Sequence, residues 1–139
     1  MKRLIVLLIS LALAATACSQ GNVFSLAVGD CFNNSTTSGE ISSVEMVDCA
    51  ESHDNEVYAT FEVPGSTYPG QTAVQLDADN GCYDRFEGYV DRDYESSAFG
   101  FSHLTPTSAS WDQGDREVVC ILFDFTGGKL TTSAKGTGL

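Results

Sequence analysis

Basic residues are scarce in this sequence of 139 residues, which has seven Lys and Arg against 19 Asp and Glu. The net charge of −12 argues against nucleic-acid binding, because proteins hold nucleic acid by neutralising its phosphates with Lys and Arg. It also argues against docking on anionic lipid headgroups through protein charge. The sequence therefore predicts no nucleic-acid partner.

Motifs for metal binding and catalysis are also missing. The sequence has two histidines and no C-x-x-C pair, whereas a zinc site needs Cys and His clustered at motif spacing. Asp77, Asp79 and Asn80 precede Gly81, but the glycine comes one position too early for an EF-hand calcium loop. Neither a G-x-S-x-G motif nor a phosphate-binding glycine loop is present. We therefore predict no catalytic residue, no metal and no cofactor.

Long apolar runs are absent except at the N-terminus. Lys2 and Arg3 precede an uncharged, mostly apolar stretch at 4–17, which is shorter than the roughly twenty residues that a membrane-spanning helix needs. Small residues then lead directly to Cys18. This pattern predicts a bacterial lipoprotein signal peptide over 1–17, with a lipid on Cys18. The alternative is an ordinary secretory cleavage site at Ala15-Thr16-Ala17.

The cysteine count favours the lipoprotein. In an oxidising compartment four of the five cysteines can pair, and a lipid on Cys18 accounts for the fifth. Four cysteines allow three pairings, of which we expect Cys31–Cys49 and Cys82–Cys120. Removing the signal peptide removes Lys2 and Arg3, which leaves five basic residues against 19 acidic ones and a net charge of −14. Residues 18–27 are expected to form the lipidated start and a flexible tether.

Periodicity predicts strands and one helix. The strands are expected at 41–48, 57–63, 98–104, 118–125 and 129–136. In the second of these, alternation places Val57, Ala59, Phe61 and Val63 on one face. The run at 118–125 is apolar on both faces until Asp124, which is typical of a central strand.

The helix is predicted over 71–90, where apolar residues recur every four positions. Gly81 and Gly88 lie inside it, and each is expected to weaken the helix by up to about 1 kcal/mol. The fold class predicted is α+β, with a small, mostly antiparallel sheet, one main helix packed on it and two disulfides. The bridge from Cys82 to Cys120 would then fix the helix to the central strand.

Two stretches concentrate reactive or binding side chains. "CAESHDNEV" at 49–57 contains a thiol, an imidazole and three carboxylates, but Cys49 is expected in a disulfide and not as a nucleophile. His53 either orients a turn or contacts a partner. In "WDQGDR" at 111–116, Trp111 either covers the end of the core or anchors a partner. Arg116 either pairs with nearby carboxylates or shares that anchoring role.

Several motifs together resemble a known family. They are V-G-D-C-F at 28–32, a cysteine followed four residues later by His53 and then by E-V, and P-x4-W-x2-G-D-R-x-V-x-C at 106–120. Over 28–136 the chain resembles the septum-formation domain of actinobacterial envelope proteins, leaving 137–139 as a tail. The resemblance implies a domain outside the cytoplasmic membrane, held by a membrane segment or a lipid, with a connection to septum formation. It implies no catalytic activity and no defined ligand.

The expected function is that of a non-enzymatic binding or scaffolding module. The expected location is the outer face of the cell membrane, with attachment through the lipid on Cys18. Partners would be cell-division or envelope proteins. One alternative is a cell-wall-active enzyme such as an envelope hydrolase. Another is a redox protein with a labile disulfide, against which the missing C-x-x-C counts.

Overall fold

One antiparallel sheet with a long helix on one face confirms the predicted α+β class. The computed structural model describes residues 20–34 and 43–139. Within them the strands are β1 Gln20–Asn22, β2 Cys31–Asn33, β3 Ser43–Val47, β4 Asn55–Glu62, β5 Phe99–Leu104 and β6 Glu117–Asp124. The helices are α1 Gln71–Val90 and α2 Ser108–Trp111, with 3-10 turns at Val23–Ser25 and Tyr94–Ser96. The strand order across the sheet is β1-β3-β2-β4-β6-β5.

Strand β6 is an interior strand, as its apolar run predicts, and both of its faces are buried. Val118, Cys120 and Leu122 belong to the core under α1. Val119 and Ile121 belong to a second, smaller core on the opposite face. The sheet is therefore covered on two sides, by α1 on one and by the N-terminal segment on the other.

The alternation predicted for the 57–63 strand is wrong at its start. A bulge interrupts the pairing of β4 with β6 between Val57 and Ala59. Because one extra residue is inserted there, Tyr58 and Ala59 both join the core under α1, whereas Val57 packs in the second core. The Tyr58 hydroxyl donates to the Cys82 carbonyl at 2.9 Å, which satisfies its polar end inside the core.

The four-residue period of α1 corresponds to its buried face. The buried residues are Val74, Ala78, Cys82, Phe86, Tyr89 and Val90. Gly81 lies where the helix meets β4, and a β-carbon there would be 2.3 Å from the Phe61 ring. The Arg85 guanidinium stacks over the same ring at 4.4 Å. Gly81 therefore permits a close packing contact, whereas no atom lies within 4 Å of a β-carbon built at Gly88.

The predicted disulfides Cys31–Cys49 and Cys82–Cys120 are confirmed. The first joins β2 to the turn after β3, and the second joins α1 to β6. Their partners are 18 and 38 residues apart in the sequence. Restriction of the unfolded chain at those loop lengths stabilises the fold by roughly 3 and 4 kcal/mol respectively.

The N-terminal segment corrects one predicted boundary. The flexible tether expected over 18–27 is already part of the fold from Gln20 onward, because β1 pairs with β3. Val23 and Leu26 are buried in the second core, where they cover apolar side chains that α1 does not reach. The predicted signal peptide and Cys18 lie outside the described residues. In the described ranges, no helix has the length and apolar character required to span a membrane.

The last predicted strand, at 129–136, is reduced to a single bridge between Leu130 and His53. The chain beyond it runs along the end of α1, where Gly136 N donates to the Tyr89 carbonyl at 2.8 Å. Leu130 and Ala134 are buried in the core under α1. The apolar residues of this segment therefore close the end of the core and do not extend the sheet.

The two glycines of α1 give opposite expectations for alanine substitution. Gly88→Ala should raise the free energy of unfolding by about 0.5–1 kcal/mol, because the site is open and alanine favours helix. Gly81→Ala should give no gain or a loss, because the new methyl group displaces the Phe61 ring. Urea denaturation of both variants tests this, and equal stabilisation would contradict the close contact at Gly81.

Candidate functional site

A polar pocket lies at one end of the sheet, on the face opposite α1. Its volume is about 300 Å³. The lining residues are Asn34, Asp54, Asn55, Ser102, Phe123, Gly127 and Gly128. Antiparallel register explains the meeting of these residues, because Asn55 pairs with Phe123, which in turn pairs with Gly100 of β5. Residues paired directly across neighbouring strands share a face of the sheet.

Hydrogen bonds hold the polar wall of the pocket in place. The Asn55 amide donates to the Asn34 side-chain oxygen at 2.8 Å, and Asn34 N donates to the Asp54 carboxylate at 2.9 Å. Lys129 Nζ lies 2.7 Å from Asp54 and donates to the Asn33 side-chain oxygen at 2.9 Å. The Asp54 charge is therefore matched within the protein.

Several polar groups of the pocket are left for a ligand. These bonds use one side-chain atom of each asparagine. Among the residues that the structure describes, they leave the Asn34 amide nitrogen and the Asn55 side-chain oxygen with capacity to bond. The Ser102 hydroxyl is exposed and has no hydrogen-bond partner in the described part of the chain. The pocket thus offers a donor, an acceptor and a hydroxyl that can act as either.

An aromatic ring forms the other side of the pocket. Phe123 lines it, and Phe125 beside it is 73% exposed. A β-carbon on Gly100 would lie 2.8 Å from the Phe123 ring and 3.3 Å from Phe125. Glycine at this position lets both rings lie against β5, which places the exposed Phe125 ring next to the ring that lines the pocket.

The acidic groups around the pocket are stabilised in their charged forms. Burial raises the pKa of Asp54, but its hydrogen bonds with Lys129 and Asn34 N and the charge of Lys129 outweigh that effect, so the pKa lies below its usual value. The Thr126 hydroxyl and backbone N–H lower the pKa of Asp124 on the turn after β6. Both carboxylates are therefore ionised and already hydrogen-bonded at neutral pH.

His53, one of the residues predicted as a partner contact, is fully buried at 0% exposure. Its backbone bonds to Leu130 in both directions at 2.9 Å, and its Nδ1 donates to the Glu51 carbonyl at 2.7 Å. Nε2 has no hydrogen-bond partner among the residues that the structure describes. The histidine therefore orients the turn from inside and presents no surface to a partner in this conformation. Cys49 of the same stretch is bonded to Cys31.

Glu56 of the same stretch is also fully buried, although its charge suggests an exposed side chain. Its carboxylate accepts hydrogen bonds from the Tyr89 hydroxyl at 2.6 Å, the Ser133 hydroxyl at 2.5 Å and Ala134 N at 2.7 Å. Burial and the hydrogen bond to Glu56 raise the pKa of Tyr89. The network joins β4, α1 and the C-terminal segment, and its neutral donors compensate the buried charge.

Glu56 also lies in a cluster of three residues of the types that can bind a metal ion. Ligand atoms of Cys31, Cys49 and Glu56 lie within 4.8 Å of one another. The two sulfurs are bonded to each other, so neither is the thiolate that metal coordination requires. Only reduction of this bridge would turn the cluster into a ligand set.

Trp111 and Arg116, the other two predicted partner contacts, bind each other and the 64–70 loop. Trp111 is buried, and its Nε1 donates to the Ser66 carbonyl at 3.3 Å. The Arg116 guanidinium stacks on the indole at 3.7 Å and donates to the carbonyls of Trp111 and Gly65 at 2.8 and 3.2 Å. The expected pairing of Arg116 with carboxylates is replaced by bonds to backbone carbonyls, including that of Asp115 at 2.7 Å. The pair closes a loop over the core.

The acidic side chains considered for calcium lie on the exposed face of α1. The Asp79 carboxylate accepts a hydrogen bond from His103 Nε2 of β5 at 2.9 Å, which links the helix to the edge strand.

The sequence did not identify the pocket residues. Asn34, Asn55, Ser102 and Phe123 come from or adjoin four different strands, and no local motif marks them. The one sequence feature that points to this end of the sheet is Phe125, an aromatic residue that follows the polar Asp124 after an apolar strand.

Fold and pocket together define a small α+β domain that is held by two disulfides and carries a polar pocket on the sheet face opposite α1. The family model described as septum formation matches residues 28–137, and the chain therefore belongs to the septum formation family. This match confirms the resemblance seen in the motifs. No curated protein and no solved structure matches the chain significantly.

We predict that Glu56→Gln lowers the free energy of unfolding by about 2–3 kcal/mol. The glutamine amide has one acceptor oxygen where the carboxylate has two, and its NH2 group would face a group that also donates. Ser133→Ala should cost less, about 1 kcal/mol, because it removes one of three donors. Urea denaturation at neutral pH measures both. Glu62→Gln, at the exposed end of the same strand, is the matched control. Equal stability of Glu56→Gln and the control would refute the role of the network.

The lowered pKa of Asp54 gives a pH-dependent prediction. A carboxylate whose folded pKa lies below its usual value of 3.8 contributes stability above that value, and the contribution is lost as pH falls through the folded pKa. Asp54→Asn should therefore lose less stability than the wild type between about pH 6 and pH 2. The difference should stay below about 1 kcal/mol because the ion pair is partly exposed.

Thermal unfolding across that pH range measures the effect. Lys129→Met should shift the profile in the same direction, because it removes the cation from the pair. Asp84→Asn, on the exposed face of α1, serves as the control. Parallel pH profiles for Asp54→Asn and the wild type would contradict the prediction.

Proposed function

We propose that this member of the septum formation family is a lipoprotein on the outer face of the cytoplasmic membrane, where it acts as a non-enzymatic binding module. The lipid is carried by Cys18, which follows an apolar leader too short to span a bilayer. Two intact disulfides support an oxidising compartment. Its partners are division or envelope proteins, in keeping with the family to which it belongs.

The state of the reactive side chains supports binding over catalysis. Cys49 is oxidised, and His53 and Glu56 are fully buried, so none of the three can reach a substrate in this conformation. The polar side chains that line the pocket offer amides, a hydroxyl and a carboxylate already paired with Lys129. Amides and hydroxyls orient ligands by hydrogen bonds, which is the chemistry of recognition. The polar pocket is the observation that carries this proposal.

In-cell cross-linking in a dividing culture tests the proposal. The tagged chain should capture division or wall-synthesis proteins, and Cys18→Ala should lose that capture because an unanchored chain leaves the membrane surface. Detergent-phase partition of the same samples checks the anchor. The wild-type chain should enter the detergent phase, because burial of each methylene of a lipid chain contributes about 0.8 kcal/mol of binding free energy. The variant, which has no lipid, should stay in the aqueous phase.

Two outcomes would overturn the proposal. Wild-type chain in the aqueous phase would show plain secretion without a lipid. Release of soluble fragments from purified peptidoglycan by the wild-type chain would show a wall-active enzyme instead of a binding module. Phe125→Ala provides a surface variant with an intact anchor, and it should lose those captures that depend on the pocket.

A further inference from the structure

We propose that the polar pocket binds a neutral, hydroxylated sugar ring of a glycan. The inference deepens the proposed binding function, on which it rests, by naming the class of ligand. It depends on three properties of the described residues: unused hydrogen-bonding groups, aromatic rings in and beside the pocket, and an internally matched charge.

The hydrogen-bonding groups suit hydroxyls. The Asn34 amide nitrogen donates, the Asn55 side-chain oxygen accepts, and the Ser102 hydroxyl does either. A sugar hydroxyl likewise donates one hydrogen bond and accepts others, so each of these groups has a match on a ring. The wall is also fixed before binding, since Asn34 and Asn55 are bonded at 2.8 Å. Fixed polar groups reduce the entropy that binding must overcome.

The aromatic rings suit the C–H faces of a sugar. Phe123 lies in the pocket and Phe125 stands 73% exposed beside it. An aromatic face carries partial negative charge and attracts the slightly positive C–H groups of a sugar ring. Both rings lie against Gly100, where any side chain would push them away from the strand. Amides on one side and aromatic faces on the other match a ring that has polar edges and apolar faces.

Charge around the pocket favours a neutral ligand. The Asp54 carboxylate is paired with Lys129 at 2.7 Å, and Asp124 accepts from the Thr126 hydroxyl at 2.6 Å. An anion would meet the Asp54 carboxylate of the lining and the net charge of −12 of the whole chain. A cation would have to displace Lys129 from Asp54. A volume of about 300 Å³ lies at the small end of ligand pockets and suits one ring of a longer chain.

NMR titration of the exported full chain with chitotetraose and, separately, maltotetraose tests the inference. The protein is purified in a polyoxyethylene detergent, because glycoside detergents carry sugar headgroups of their own. We expect shifts of the amide signals of Asn34, Asn55 and Ser102 with at least one oligosaccharide, at sub-millimolar to millimolar concentration. Which of the two binds distinguishes an N-acetylated from a simple hexose glycan.

Three pocket variants and one control test which residues contribute to sugar binding. Asn34→Ala should weaken binding about fivefold, which corresponds to about 1 kcal/mol for one hydrogen bond. Phe125→Leu should weaken it to a similar degree, whereas Phe125→Tyr should keep it, because tyrosine retains the aromatic face. Leu76→Ala, an exposed apolar residue on the outer side of α1, is the matched control and should bind as the wild type does.

Several results would overturn the inference. They are shifts with neither oligosaccharide, shifts outside the pocket, and equal binding by Phe125→Leu and the control. Pocket shifts with calcium or inorganic phosphate alone, and none with the sugars, would also overturn it. Capture of division proteins in cells together with no sugar binding would leave the proposed function standing and refute only the sugar ligand. Sugar binding by a chain that captures no division or envelope proteins would support the sugar ligand and refute the proposed protein partners.

Discussion

The bond between Cys82 and Cys120 is the constraint on which the arrangement of this domain depends. It fixes the middle of the long helix α1 over an interior strand, and the larger core forms around it. With α1 committed to one face, the described part of the chain offers only the short N-terminal segment to cover the opposite face. That segment covers Val57, Val119 and Ile121 but ends before the Asn55 and Phe123 positions. The pocket lies at those positions, beyond the part of the face that the N-terminal segment covers.

The reactive residue types and the proposed binding pocket lie in different parts of this fold. The stretch 49–57 concentrates the groups that chemistry requires, yet it uses them to hold the turn, the helix and the C-terminal segment together. The pocket, in contrast, is made of residues that no catalytic motif would select. The buried Glu56 carboxylate joins three elements, whereas the Asp54 carboxylate at the pocket is paired with the partly exposed Lys129 side chain. The network that stabilises the fold and the proposed binding pocket thus lie on different faces of the sheet.

Much of the fold could be predicted from the sequence, because the responsible signals are local or covalent. The four-residue period of α1, the apolar run of β6 and the cysteine pairing all follow from spacing and compartment. The bulge at Tyr58 could not be predicted, since an inserted residue leaves no mark in an alternating pattern. The burial of Glu56 and His53 depends on a C-terminal segment that returns from 77 or more positions away. The pocket depends on strand register, which a single sequence does not specify.

The position of β1 has a consequence for how the domain stands on a surface. Gln20 begins an edge strand, and only one residue separates it from Cys18. With the proposed lipid on Cys18, the β1 edge of the sheet would rest at the headgroups with almost no slack in the chain. Four strand spacings separate β1 from β6, which amounts to roughly 20 Å. The sheet itself would then act as the spacer, holding Phe123 and its neighbours at a set height above the bilayer.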